Sequence, residues 1–390
     1  CVSFSFLEGY QRIEEYRQLI NDLEGKGKLN RALEVIPADD LLSDRKNCQK
    51  GLSRPSIFVL LSYAKNEMKE ALVDACITDD PYLLTEAEKI FPQSLVKKYK
   101  KEIYQHPLIT EIVATQISND LLNTMGATFA HRIMASSGCS FLELSKAWVA
   151  ARDIFALDAI LEQIEALDNK VSYDLQSELI FKLQRMLRHG TRWLIQNHRD
   201  ELSTGELIKQ YQKPLQSVAD DIETVLMGKA VNYRCEMLSS LAEGGVPKLL
   251  AHKLASADQI YSLLSVISAA TKLDMNAHLA AQVHFLAMDK LKLFDVAKLL
   301  SLLPVDSHWQ SLAKEAMYDD LEWQHKRITQ AILQEMQEGD IKLAFIGWET
   351  QHDNLVQRWL RMADSLLAVA NPEYSMCQVA LRELLDLSSS

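Results

Sequence analysis

Between His106 and Ile133 the apolar residues Leu108, Ile109, Ile112, Val113, Ile117, Leu121, Leu122 and Met125 recur at steps of three and four. That period lays them along one face of a helix and is incompatible with a strand, whose faces alternate every second residue. Pro107 suits the first turn of such a helix, and Gly126 suits its end, where glycine takes the left-handed conformation that closes a helix. The opposite face carries Asn119, Asp120, Asn123 and Thr124, uncharged apart from one carboxylate, which is unusual for a face turned wholly to water. Hydrogen bonds to neighbouring helices are the expectation for it, with a ligand-binding role as the alternative.

The same period recurs along the chain. Ser53 caps a helix with Pro55 in its first turn and Ile57, Leu60, Leu61, Ala64, Met68 and Leu72 on its buried side. A helix is also expected from Phe6 to Glu24. Ser140-Phe-Leu-Glu143, Ser203-Thr-Gly-Glu206 and Ser256-Ala-Asp-Gln259 have the spacing of reciprocal capping boxes. Ser172 starts a long helix to about Asn197, and the Leu387–Ser390 tail is expected to fray. No alternating β-branched run lies between turn signals, and no fixed-period repeat is present. The expected fold is therefore all-α, an irregular multi-helix bundle of two packed helical subdomains, 1–202 and 203–390.

Several function classes drop out. The net charge of −11 opposes nucleic-acid binding, which needs a clustered basic footprint. The longest apolar run, around Ile260 to Ala270, is too short for a membrane span. Six scattered cysteines without a C-x-x-C pair, and no N-x-S/T sequon, read as a reducing cytoplasm. The start at Cys1, with no signal peptide, reads as a fragment lacking an upstream portion. The 13 glycines include no G-x-G-x-x-G or P-loop, the ten histidines no H-E-x-x-H, and no G-x-S-x-G elbow occurs, so neither dinucleotide, zinc nor nucleophilic chemistry has a motif.

One charged feature remains. Lys182, Arg185, Arg188, His189 and Arg192 recur at steps of three and four beside the apolar stripe of the long helix. They form either a solvated face with ion pairs such as Glu178 to Lys182, or a docking surface for an acidic partner domain. The candidate domain-contact residues are Lys182, Arg185, Arg188 and Arg192. Trp193 is expected in the core, and Trp348 and Trp359 as packing residues or interface anchors.

Gly51-Leu-Ser-Arg-Pro55, Val59 to Lys65, Asp79-Asp-Pro81, Tyr82, Phe91-Pro92, Glu111 to Thr115, Asn119, Asn123, Met125-Gly126, Thr128-Phe129 and Arg132 occur in an order that resembles the C-terminal helical region of the large bacterial NAD-specific glutamate dehydrogenases. Ala147, Ala150-Ala-Arg152, Phe155, Ile164 to Lys170 and Thr191 to Leu194 extend the resemblance, which is strong over Tyr10 to Leu202. It implies a cytoplasmic, homo-oligomeric parent enzyme that uses NAD to deaminate L-glutamate oxidatively to 2-oxoglutarate and ammonia. Its catalytic and dinucleotide domains would lie upstream, so this chain is expected to carry no catalytic, cofactor or metal residue and to partner the upstream catalytic domain. The alternative is an independent all-α interaction module or enzyme with an unrecognised site.

Overall fold

The computed structural model describes residues 12–199, 203–305, 307–336 and 339–389, and every regular element among them is helical. In chain order the α-helices are α1 Ile13–Gly25, α2 Asp39–Asn47, α3 Arg54–Asp74, α4 Pro81–Leu84, α5 Gln93–Tyr104, α6 Ile109–Met125, α7 Phe129–Ser137, α8 Phe141–Ile154, α9 Leu157–Glu165, α10 Tyr173–His198 and α11 Thr204–Asp220. There follow α12 Lys229–Glu243, α13 Lys248–Leu254, α14 Ala257–Ile260, α15 Leu263–Leu273, α16 Ala277–Lys290, α17 Leu293–Leu302, α18 His308–Gln334, α19 Ile341–Gln351, α20 Asp353–Leu367 and α21 Tyr374–Ser389. The expected all-α fold is borne out. The beginning of the expected first helix, before Arg12, and the boundary residue Leu202 lie outside the described residues.

Two compact units are present. The first comprises Cys1–Asp153 and Thr191–Lys209, the second Ile154–Gly190 and Gln210–Ser390. This grouping does not follow a single cut at 202. Residues 154–190 cluster with the later part of the chain, and α10 runs from one unit into the other.

In the first unit α6 packs along α3. Val113, Ala114, Ile117, Leu121, Leu122 and Met125 of α6 are buried, as are Ile57, Leu60, Leu61, Ala64, Met68 and Leu72 of α3. Each large side chain so buried contributes roughly 1.5–3 kcal/mol relative to exposure. The expected helix start needs correcting: α6 begins at Ile109, Pro107 lies in the preceding turn, and Leu108 is exposed. Its polar face ties helices together, with Asn123 Oδ1 accepting from Lys65 Nζ at 2.8 Å and Asp120 bonding an arginine of α8. Gly126 closes α6 at φ 90°, as expected, but ψ is 165°, an extended backbone rather than the left-handed helical one. That region is nearly exclusive to glycine.

The second unit is organised around α18, a helix of 27 residues packed against α15, α16, α17 and α21. A capping box of Ser307 and Gln310 starts it. Its inward face mixes Leu321, Ile328, Ile332 and Leu333 with buried His325, Gln324 and Thr329. The expected frayed tail is corrected too, since α21 continues to Ser389 and buries Leu387; Ser390 lies outside the described residues.

Candidate functional site

Helix α10 starts where the sequence places it, with the Leu175 N–H donating to Ser172 Oγ at 3.2 Å. Leu179, Leu183, Leu187 and Leu194 are all buried. The cationic positions beside them are not a solvated band. Lys182 is only 7% exposed. Its ammonium lies 3.6 Å from Asp258 Oδ2 and 3.4 Å from the Tyr233 hydroxyl, which itself donates to Asp258 at 2.8 Å. Burial lowers the Lys182 pKa, and the charge of Asp258 opposes that shift. Arg188 Nε is 3.5 Å from Glu315, a carboxylate buried on α18. The His189 imidazole stacks on Tyr261 at 4.9 Å and tilts against Tyr318 at 5.2 Å.

Arg185 differs, because its side chain is 54% exposed and 3.7 Å from Asp258. Arg192 belongs to the first unit, where it is buried and donates to Ser136 Oγ. The structure thus threads Lys182, Arg188 and Arg192 into internal pairs and leaves Arg185 facing solvent.

The phenols around this stripe are locked as donors. Burial, with Asp258 second, raises the Tyr233 pKa; burial also pushes Tyr318 up to about 12 and Tyr261 well above its ordinary value. Burial likewise raises the half-buried Glu322 to about 7 against the hydrogen bond it accepts from Tyr261 at 3.1 Å. A phenol held protonated orients a neighbour but is a poor base near neutral pH. These shifts follow from burying polar groups between helices.

A second constellation, in the first unit, explains several residues of the family resemblance. Arg152 on α8 is 1% exposed. Its guanidinium forks onto Glu86, with Nη2 to Oε1 at 2.7 Å and Nη1 to Oε2 at 3.0 Å, while Nη1 also meets Asp120 at 3.0 Å and Nε meets Asp153 at 2.8 Å. The other oxygen of Asp153 accepts from the Tyr82 hydroxyl at 2.6 Å. Burial works against the Arg152 charge, yet its bonds to Glu86 and Asp153 raise the pKa further above the ordinary arginine value. Asp80 caps α4 through the Tyr82 and Leu83 N–H groups, and its second oxygen accepts from both N–H and hydroxyl of Thr204 at the start of α11. Asp80, Tyr82 and Arg152 are therefore fold-holding residues. Asp120 lies on the polar face from which helix-tying hydrogen bonds were expected, whereas Glu86 had no sequence signal, because pairing across 66 residues has no characteristic spacing.

In the second unit His284 and His325 stack at 3.6 Å, both buried. Thr329 Oγ1 donates to the His325 carbonyl at 2.9 Å and so accepts from His284 Nδ1–H at 3.1 Å, while His325 Nε2–H donates to the His284 carbonyl at 3.0 Å. Both rings are neutral, since burial lowers each pKa, that of His325 to about 4. Among the described residues no group of three or more His, Cys, Asp or Glu is placed to hold a metal ion, and Cys48, Cys76, Cys139, Cys235 and Cys377 are free. No helix among them is long and apolar enough to cross a membrane. A dinucleotide would need backbone N–H groups at a strand–turn–helix junction. No strand, and so no junction of that kind, occurs among the described residues.

The family model of the glutamate dehydrogenase C-terminal region matches residues 49–386. An NAD-specific glutamate dehydrogenase of Pseudomonas aeruginosa is 38% identical over 97% of the chain, and one of Halomonas elongata 34% identical over 97%. One of Mycobacterium tuberculosis is 27% identical over 91%. The chain spans about a quarter of the length of these relatives, 24%, 24% and 22% respectively. A family-model match over most of the chain, with relatives 38% and 34% identical over 97% of it, assigns the family: this chain belongs to the glutamate dehydrogenase C-terminal family.

Proposed function

We propose that the chain is a non-catalytic, structural or regulatory domain of an NAD-dependent enzyme converting L-glutamate, NAD and water to 2-oxoglutarate, ammonia and NADH. The observation that carries this reading is the use made of its charged signature residues. Arg152, which could have gripped a carboxylate substrate, is closed off by Glu86, Asp120 and Asp153. Asp80 is spent on two helix starts. Hydride transfer needs a nicotinamide held against the substrate carbon by a phosphate-cradling turn and by positioned acid–base groups. The sequence contains no such glycine-rich turn. On this reading the remainder of the polypeptide supplies NAD binding and chemistry, the partner of this domain is that catalytic part, and the enzyme works in the cytoplasm as a homo-oligomer.

Calorimetric titration of NADH into the purified 390-residue chain tests it. The expected result is no binding heat beyond dilution; saturable binding at micromolar NADH overturns the reading.

A further inference from the structure

The outward face of α18 bears two tryptophans that the core does not use. Trp309 is 77% exposed and Trp323 47%, whereas Trp148, Trp348 and Trp359 are buried. Fourteen residues separate the two, which on an α-helix is about 21 Å along the axis and within about 40° of the same azimuth. The exposed positions between them include the small Ala316 and the single carboxylate Asp320. The Arg327 guanidinium lies over the Trp323 ring at 4.7 Å.

Ahead of Trp309, Leu302 and Val305 are also exposed, at 76% and 41%. Their segment is held in place. Lys314 Nζ donates to the Ser301 and Leu303 carbonyls at 2.8 and 2.9 Å, and the Tyr374 hydroxyl donates to the Pro304 carbonyl at 2.7 Å.

We propose that the Trp309–Trp323 face of α18 is the surface by which this domain docks on the remaining part of the enzyme polypeptide. The proposal rests on the reading above that the chain is one domain of a longer enzyme. The matched part is 24% of the Pseudomonas and Halomonas relatives, which leaves about three quarters of each outside it. A surface in the same polypeptide meets this face at millimolar effective concentration, so two anchors and a modest rim suffice for a stable contact. Tryptophan is the side chain most enriched among residues that carry binding energy, and a helix presenting two of them at a fixed separation is pre-organised. The matching chemistry is an apolar surface with two recesses about 21 Å apart, an acceptor for each indole N–H and a carboxylate within reach of Arg327. The basic stripe of α10 is a poorer face for this contact, since Lys182, Arg188 and Arg192 are already engaged internally.

Hydroxyl-radical footprinting of the full-length enzyme, read residue by residue by mass spectrometry, tests the proposal with Trp348 and Trp359 as buried internal standards. The expected result is that Trp309 and Trp323 react as slowly as those standards in the full-length enzyme and several-fold faster in the 390-residue chain. Reaction several-fold faster than the standards in the full-length enzyme overturns the docking face. Protection in the 390-residue chain that grows with its concentration assigns the face to self-association and also overturns it. Turnover of NADH with 2-oxoglutarate and ammonium is scored separately on the same full-length sample. Turnover with unprotected tryptophans sinks the docking face alone, and protection without turnover sinks the parent activity alone.

Discussion

Arg152→Met removes the guanidinium on which four side chains of the first unit converge. It leaves Glu86, whose side chain is 3% exposed, with Lys89 at 3.1 Å as a half-exposed substitute, and frees Asp153 and Asp120 from their bonds to the guanidinium. Breaking a buried pair by deleting one partner costs about 3–5 kcal/mol, because the remaining charge keeps its desolvation penalty. The Trp148 ring, 5.4 Å from the guanidinium, loses its cation as well. For a domain of this size each kcal/mol moves the midpoint by about 2–4 °C, so the transition of the first unit falls by roughly 6–20 °C. Chemical and thermal unfolding followed by circular dichroism measure this. Arg152→Met combined with Glu86→Gln is expected to lose less than the two single changes summed, by at least about 1 kcal/mol. A loss below about 1 kcal/mol for Arg152→Met, or strict additivity of the pair, refutes the fold-holding role.

Gly126→Val forces a Cβ into φ 90°, ψ 165°, a strain of about 1–3 kcal/mol, and a melt displaced by less than a degree would contradict the geometry. His325, pushed down from 6.5 to about 4, contributes stability that is fully present above pH 6.5 and is lost as pH falls toward 4, in all about 3 kcal/mol. Glu322, raised from 4.5 to about 7, acts in the opposite sense as pH rises through that window, so the test is the difference between wild type and His325→Leu. That difference shrinks by about 3 kcal/mol on acidification, and parallel curves would rule the neutral pair out. Arg185→Glu, on a side chain 54% exposed, changes folding stability by no more than about 1 kcal/mol, whereas Arg192→Glu buries a carboxylate and is expected to cost more than about 3 kcal/mol. Equal melting temperatures for the two variants would mean that Arg192 is not buried.

The parts of the fold set by local period and capping could be read from sequence. The stripes of α3 and α6 fall where the apolar steps place them, and Ser140 and Glu143 form their reciprocal cap, with Glu143 N–H to Ser140 Oγ at 3.2 Å and Ser140 N–H to Glu143 Oε2 at 2.7 Å. Where tertiary contacts compete, the local signal failed. Ser256 does not cap α14 with its side chain; its hydroxyl accepts from Arg234 Nε at 3.0 Å. In α18 the buried polar residues Glu315, Gln324, His325 and Thr329 interrupt the apolar period, so spacing alone does not mark its inward face. The basic face of α10 was legible as a face, but a helical wheel does not say whether a face meets water, and Asp258, the carboxylate that receives Lys182, lies 76 residues on in sequence. The tryptophans sorted by neighbours rather than by type. Trp193, Trp348 and Trp359 are in the core, with the indole of Trp359 donating to the Leu291 carbonyl at 2.8 Å, while Trp309 faces out.

On the proposed function this chain holds structure while the rest of the polypeptide performs the redox chemistry. The direct measurement is NADH oxidation with 2-oxoglutarate and ammonium, assayed side by side for the full-length polypeptide and for the 390-residue chain at equal molar concentration. The expected result is turnover by the full-length protein and none above background by the chain, once a cooperative melt has shown the chain to be folded. Turnover by the folded chain alone, or none by the full-length protein, would contradict it.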